Sequence, residues 1–268
     1  MTHASLDTRI LSDSASDLKG KRVLITGASR GLGQSCAEAF AKAGAKLLLA
    51  GRAADRLAHI HATLERAEEH RVVAGDLTTL EAMDQLISAA EAYGEIEVIL
   101  HVMGGGLGRR DPLLTWEDFA LLFKTNLAAG AEINRRLIPR MIERHAGNIV
   151  HVGSIASTEA VGSVGYNTVK AALAAYIRSL GRTLAPTGVI ITGILPGGFM
   201  APENSMARLQ QRDPQLLERW IAEHEPRKRL GQPEELMPLL MLLASRQATM
   251  MSGCCVPIDA GEGLAYIL

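Results

Sequence analysis

Val23-Leu24-Ile25-Thr26-Gly27-Ala28-Ser29-Arg30-Gly31-Leu32-Gly33 sets three glycines between a short apolar run and the start of a helical pattern. The run suits a strand buried on both faces, and the helical pattern continues to Lys42, with Gly44 placed to follow it in the left-handed conformation. In such a turn Gly27 permits a tight bend and Gly31 lets a pyrophosphate approach the backbone. Gly33 lets the helix pack closely while its N-terminal amides face the anion. The candidate contacts are Gly27, Ser29, Arg30, Gly31, Leu32 and Gly33. The spacing is not the common GxGxxG, and an isolated glycine trio also suits a plain strand-to-helix turn. Its place after a strand and before a helix is what favours a dinucleotide.

Outward from this turn, short apolar runs alternate with longer helical patterns. Strands are expected over 22–26, 46–50, 71–74, 97–102, 148–152, 189–194 and 254–258. The alternation predicts an α/β fold: one doubly wound Rossmann domain over 21–268, with a seven-stranded parallel sheet flanked by helices. Residues 1–20 read as a flexible tail. The segment 115–145 reads as one long helix that Pro139 kinks or ends early. The charged, proline-bearing stretch over 199–229 breaks the alternation; it is either an excursion that covers a site or an ordinary helical packing segment.

The 268 residues, 47% hydrophobic and 21% charged, supply a sizeable core and exclude extensive disorder. A net charge of −1 offers no global attraction to nucleic acid or an anionic membrane. No apolar run approaches the ~18 residues of a membrane span. The three cysteines include no CxxC pair, and His59 and His61, two apart on a predicted helix, face different sides, so no metal site is expected. A soluble, cytoplasmic protein is the expectation.

Asp76, followed by Leu77, stands just after the third strand, where it either accepts a bond from an adenine amino group or caps a turn. An NAD site usually carries an acid at the end of the second strand, but the chain reads Ala50-Gly51-Arg52. Arg52 with Arg30 suits a 2′-phosphate instead, which favours NADP(H); two solvated surface arginines are the plainer alternative.

Tyr166 and Lys170 are four apart and share one face of a predicted helix. A free tyrosine, pKa ~10, is a poor acid–base group near neutrality. A lysine cation beside it, together with the positive ring of an oxidised nicotinamide, favours the phenolate and brings it toward working pH. Ser154 follows the strand over 148–152, at the carboxyl edge where ligands collect, and suits a donor to a substrate oxygen. Singly, each has a structural explanation: core aromatic, solvated charge or cap.

Jointly with the glycine turn, these residues resemble the short-chain dehydrogenase/reductase family, over Lys21 to the C-terminus. Thr26–Gly33 matches its TGxxxGxG and Tyr166–Lys170 its YxxxK, while Asn126 in Lys124-Thr125-Asn126-Leu127 matches its helical asparagine. The resemblance implies Tyr166 as proton donor, Ser154 as its partner on the substrate oxygen, Lys170 as the tuning cation, and Asn126 as holder of a water relaying protons from Lys170. Pro196-Gly197 resembles the turn beside the nicotinamide, and Gly104 keeps the glycine of the family's NNAG, whose first three residues are replaced by His101-Val102-Met103. His101 is expected to pack, with a polar role near the site as the alternative. Ser154 and Tyr166 lie 12 residues apart, about one fewer than is commonest in the family.

The family also implies a homotetramer, with a dimer next, whose subunit interface uses the small run Ala171, Ala172, Ala174 and Ala175. The expected activity is carbonyl–alcohol oxidoreduction, similar to 3-oxoacyl-ACP reductase-like members, with a small-molecule ketone or alcohol as substrate. A sugar or cyclitol ketone stands beside that choice, and a non-catalytic NADP(H) sensor is the rival from another class. Glu159, Arg109 and Arg110 lie on loops that either face substrate or face water.

Overall fold

The computed structural model describes residues 14–266. Its strands are β1 (Arg22–Thr26), β2 (Lys46–Gly51), β3 (Arg71–Ala74), β4 (Val98–His101), β5 (Gly147–Val152), β6 (Val189–Pro196) and β7 (Cys255–Ile258). All pairings are parallel, in the order β3-β2-β1-β4-β5-β6-β7. The strand order reverses between β1 and β4, which opens a crevice at their carboxyl ends.

The sheet is covered on both faces because its strands alternate between two apolar sets. Val23, Ile25, Leu47 and Leu49 pack toward α1 (Gly31–Lys42), α2 (Ala54–Thr63) and α9 (Pro233–Leu243). Leu24, Leu48, Ile99 and Ile149 pack toward α3 (Leu80–Tyr93), α5 (Ala129–Glu143) and α6 (Val164–Leu184). The continuous apolar runs of β1, β2, β4, β5 and β6 are thus strands buried on both sides, whereas the edge strands β3 and β7 are partly exposed.

The segment expected as one long helix is α4 (Trp116–Phe123), a π turn over Lys124–Ala128, and α5. Pro139 does not end α5, which continues to Glu143. Its neighbours Ile138 and Met141 are buried against the sheet, and that packing holds the turn where a backbone donor is missing. The break in regular helix falls instead around Asn126.

Of the expected tail, residues 1–13 lie outside the described residues, whereas Ser14 to Gly20 are docked. A short turn over Ser16–Leu18 buries Leu18 completely. Asp17 accepts from Lys21 Nζ (2.7 Å), Arg246 N (2.9 Å) and Arg246 Nε (2.6 Å). Burial alone would raise the Asp17 carboxyl, but these bonds outweigh it and hold the pKa below its ordinary value.

The stretch over 199–229 folds into α7 (Ser205–Arg212) and α8 (Pro214–His224), capped by Asn204 and Asp213. No helix among the described residues is long and apolar enough to cross a membrane.

Candidate active site

The turn from β1 into α1 closes because Gly33 is where it is: a Cβ there would stand 2.1 Å from the Gly27 carbonyl oxygen. Ala28 N donates to Ala50 O (3.0 Å), and a Cβ on Gly51 would meet the Ser29 hydroxyl at 3.2 Å, so the glycine turn rests on the end of β2. Leu32 is buried beneath the helix start. Arg30 and Arg52 lie exposed where β1 and β2 give out. Asp76 accepts from Thr78 N (3.0 Å) and Thr78 Oγ1 (2.8 Å), the turn-capping alternative of the sequence, while Leu77 beside it is buried.

The structure adds three residues that sequence reasoning missed. Arg56 of α2 pairs with Glu203, and Arg208 of α7 donates to the Glu203 carbonyl. Both arginines, with Arg52, act on Arg30. After burial, the largest cause, their repulsion lowers the Arg30 pKa while Glu203 opposes them. The available signal was the charge of the segment over 199–229, but only the fold shows that α7 returns to the glycine turn.

Below the crevice, Asn126 is fixed by three bonds: its Oδ1 accepts from Gly105 N (2.9 Å), and its Nδ2 donates to Gly105 O (3.0 Å) and Leu122 O (2.9 Å). Gly104 passes so close that a Cβ on it would lie 2.8 Å from Asn126 Oδ1 and 3.4 Å from Lys170 Nζ. Lys170, 3% exposed, donates to Val152 O (2.8 Å), and its nitrogen lies 5.7 Å from the centre of the Tyr166 ring. Ser154 follows β5, and its Oγ accepts from Ala156 N (3.2 Å). The fold therefore brings Asn126, Ser154, Tyr166 and Lys170 together at the carboxyl edge of β4 and β5.

Burial lowers the Lys170 pKa to about 8, because a desolvated ammonium gives up its proton more readily. The Tyr166 phenol is raised, chiefly by burial, with the Ser154 hydroxyl acting in the opposite direction. The lowering expected from Lys170 is thus not what acts on this phenol: burial raises it, and the hydrogen bond with Ser154 is what opposes burial.

Pro196 ends β6, and Gly197 N donates to Ile258 O (3.4 Å), while Gly198 N donates to the Glu262 carboxylate. His101 packs: it is stacked on His151 with centroids 4.3 Å apart, and Asn134 bridges His101 Nε2 (2.9 Å), His151 Nε2 (3.2 Å) and the Tyr176 hydroxyl (3.1 Å). Burial pushes His101 down to about 4 and His151 well below its ordinary value. Glu159 accepts from Leu264 N (2.8 Å), Arg109 pairs with Asp118 (2.9 Å), and Arg110 is exposed. Among the described residues no group of three His, Cys, Asp or Glu is arranged to hold a metal ion.

A glycine cradle that a side chain would fill, helix amides above it and arginines at its mouth fit a phosphate-bearing dinucleotide. The family model described as short chain dehydrogenase matches residues 21–212. The 3-oxoacyl-[acyl-carrier-protein] reductase FabG of Aquifex aeolicus is 29% identical over 253 residues, spanning 91% of this chain and 98% of its own. Galactitol 2-dehydrogenase of Rhizobium johnstonii is 30% identical over 250 residues, spanning 91% and 95%. Among solved structures, L-sorbose reductase from Gluconobacter frateurii, complexed with NADPH and L-sorbose, superposes with a TM-score of 0.86 at 28% identity, covering 94% of this chain and 100% of that one. Sheet order, site and relatives agree, and the chain belongs to the short chain dehydrogenase family, as an oxidoreductase that works between an alcohol and a carbonyl.

Proposed function

We propose that the chain is an NADP(H)-dependent carbonyl reductase, reversible as an alcohol dehydrogenase, with Tyr166 as its acid–base group. The observation that carries the proposal is the buried Lys170 ammonium held against the Tyr166 ring, next to Ser154. Bound coenzyme supplies or accepts the hydride. Tyr166 delivers its proton to the substrate oxygen, and Ser154 donates a hydrogen bond to the same oxygen as negative charge builds there. Lys170, held by Val152 O, keeps a positive charge beneath the phenol, and Asn126 sits one residue-width away across Gly104, suited to hold a relaying water. The glycine turn and Asp76–Leu77 would line the adenosine and pyrophosphate, and Gly104, Pro196 and Gly197 the nicotinamide.

NADP(H) is preferred to NAD(H) on charge: Arg30, Arg52, Arg56 and Arg208 gather where an NAD site would present an acid. A 3-oxoacyl-type ketone is the first substrate class, in line with the FabG relative. A sugar or cyclitol ketone is the second: Glu262, bonded at Gly198 and raised by burial and, in smaller part, by the charge of Glu159 on the loop after Ser154, suits hydroxyl donors better than an anionic carrier. A sensor without catalysis has no use for the Ser154, Tyr166 and Lys170 grouping.

Oxidation of NADPH and of NADH across acyl thioesters, keto sugars and aromatic ketones tests these assignments together. Turnover with NADPH is expected. Preference for NADH would overturn the reading of the arginines, and tight coenzyme binding with no turnover on any class would favour the sensor.

A further inference from the structure

The arginines at the mouth of the glycine turn come from four places in the chain. Arg30 precedes α1, Arg52 follows β2, Arg56 lies in α2, and Arg208 lies in α7. One carboxylate stands among them. Glu203 pairs with Arg56, its main-chain carbonyl accepts from Arg208, and the charges of Arg56, Arg30 and Arg208 all bear on it. Four guanidiniums against one carboxylate leave an excess of positive charge that suits an anion of higher charge.

Glu203 is also held in an unusual conformation. Its φ of 57° is left-handed, a region sparsely used by residues with a side chain. The turn is fixed from both sides, by Asn204 N donating to Ala201 O (3.1 Å) and by Asn204 Nδ2 donating to Phe199 O (2.6 Å). The neighbouring Pro202 carbonyl oxygen would lie 3.4 Å from a Cβ on Gly31, so the segment presses on the glycine turn itself. With 48% of the Glu203 side chain exposed, its carboxylate can leave the arginines without disturbing the core.

We propose that Glu203 is a coenzyme-discriminating residue: its carboxylate holds the place of a 2′-phosphate among Arg30, Arg56 and Arg208, and yields that place when a 2′-phosphorylated coenzyme binds. The exchange rests on the NADP(H) preference proposed above. A ligand with the phosphate must displace Glu203 from its ion pair, whereas a ligand without it need not. Removing the carboxylate therefore tightens the first and leaves the second unchanged.

Isothermal titration of the full chain with 2′,5′-ADP and with 5′-AMP tests this without any turnover. Wild type is expected to bind 2′,5′-ADP more tightly than 5′-AMP. Glu203→Gln is expected to tighten 2′,5′-ADP roughly two- to fivefold, the range of an exposed ion pair, and to leave 5′-AMP unchanged. Arg208→Gln is expected to weaken 2′,5′-ADP alone, and unchanged 5′-AMP affinity shows that each variant keeps its fold. Unchanged or weaker 2′,5′-ADP binding in Glu203→Gln overturns the role of Glu203 while leaving the NADP(H) preference standing. Equal affinity of the two probes for wild type overturns that preference, and the role of Glu203 with it.

Discussion

Tyr166 owes its chemistry to its surroundings, and the balance of those surroundings is what mutation can shift. Burial holds the phenol protonated, while Lys170, pushed down to about 8 by its own burial, supplies the nearest positive charge. Gly104 is the tightest joint of the arrangement. Gly104→Ala drives a methyl toward Asn126 Oδ1, and overpacking of this kind costs about 1–3 kcal/mol. The variant is expected to melt earlier and to lose activity beyond its loss of stability, which thermal melts and rates measured well below the midpoint separate. The Tyr166, Lys170 and Ser154 grouping was legible in the sequence because two helical positions four apart and a strand-end serine fix most of the geometry, whereas Asn126 came only with the family resemblance. Arg56, Glu203 and Arg208 were not, since the contacts that unite them span 147 residues from Arg56 to Glu203.

At the scale of elements, β4 and β5 each carry a histidine at matching register, His101 opposite His151, and α5 and α6 supply Asn134 and Tyr176 to complete a buried polar group. Sequence pattern placed the strands within a residue or two. It expected His101 to pack but did not name its partners, because Asn134 and His151 lie on two other elements. Asn134→Ala strips the shared amide from two imidazoles and a phenol, and a cost of about 1–3 kcal/mol is expected for buried groups left without partners, read as a lowered denaturant midpoint. The pair also sets a pH dependence. His101 titrates near 4 when folded against 6.5 when unfolded, so between these values the unfolded chain binds more protons. Stability is therefore full above about pH 6.5 and declines as pH falls toward 4, by about 1.4 kcal/mol per pH unit for this ring. His101→Asn is expected to flatten that slope in denaturant titrations, and an unchanged slope would remove His101 as its source.

For the whole molecule, the seven parallel strands between layers of helix follow from the alternation of apolar runs and helical patterns, which is why the fold class was readable in the sequence, while the strand order β3-β2-β1-β4-β5-β6-β7 was not, because pairings between distant runs leave no local signal. The docking of Ser14 to Gly20 was not, because Asp17 finds Arg246 only once the chain has closed. Assembly belongs to this scale. Trp116 (83% exposed), Leu113 (87%) and Val164 (52%) leave large apolar side chains on the surface, and Ala171 and Ala175 of α6 are exposed as well. Light scattering is expected to give a tetramer, with Trp116→Glu shifting it to smaller species; a monomeric wild type would contradict this. The catalytic claim has a more direct test: Tyr166→Phe assayed for NADPH-dependent reduction of a ketone that wild type turns over, with NADPH affinity measured alongside. A fall in kcat of about 10²–10⁴ with coenzyme binding retained is the predicted result. Activity within a few-fold of wild type would show that the proton comes from elsewhere.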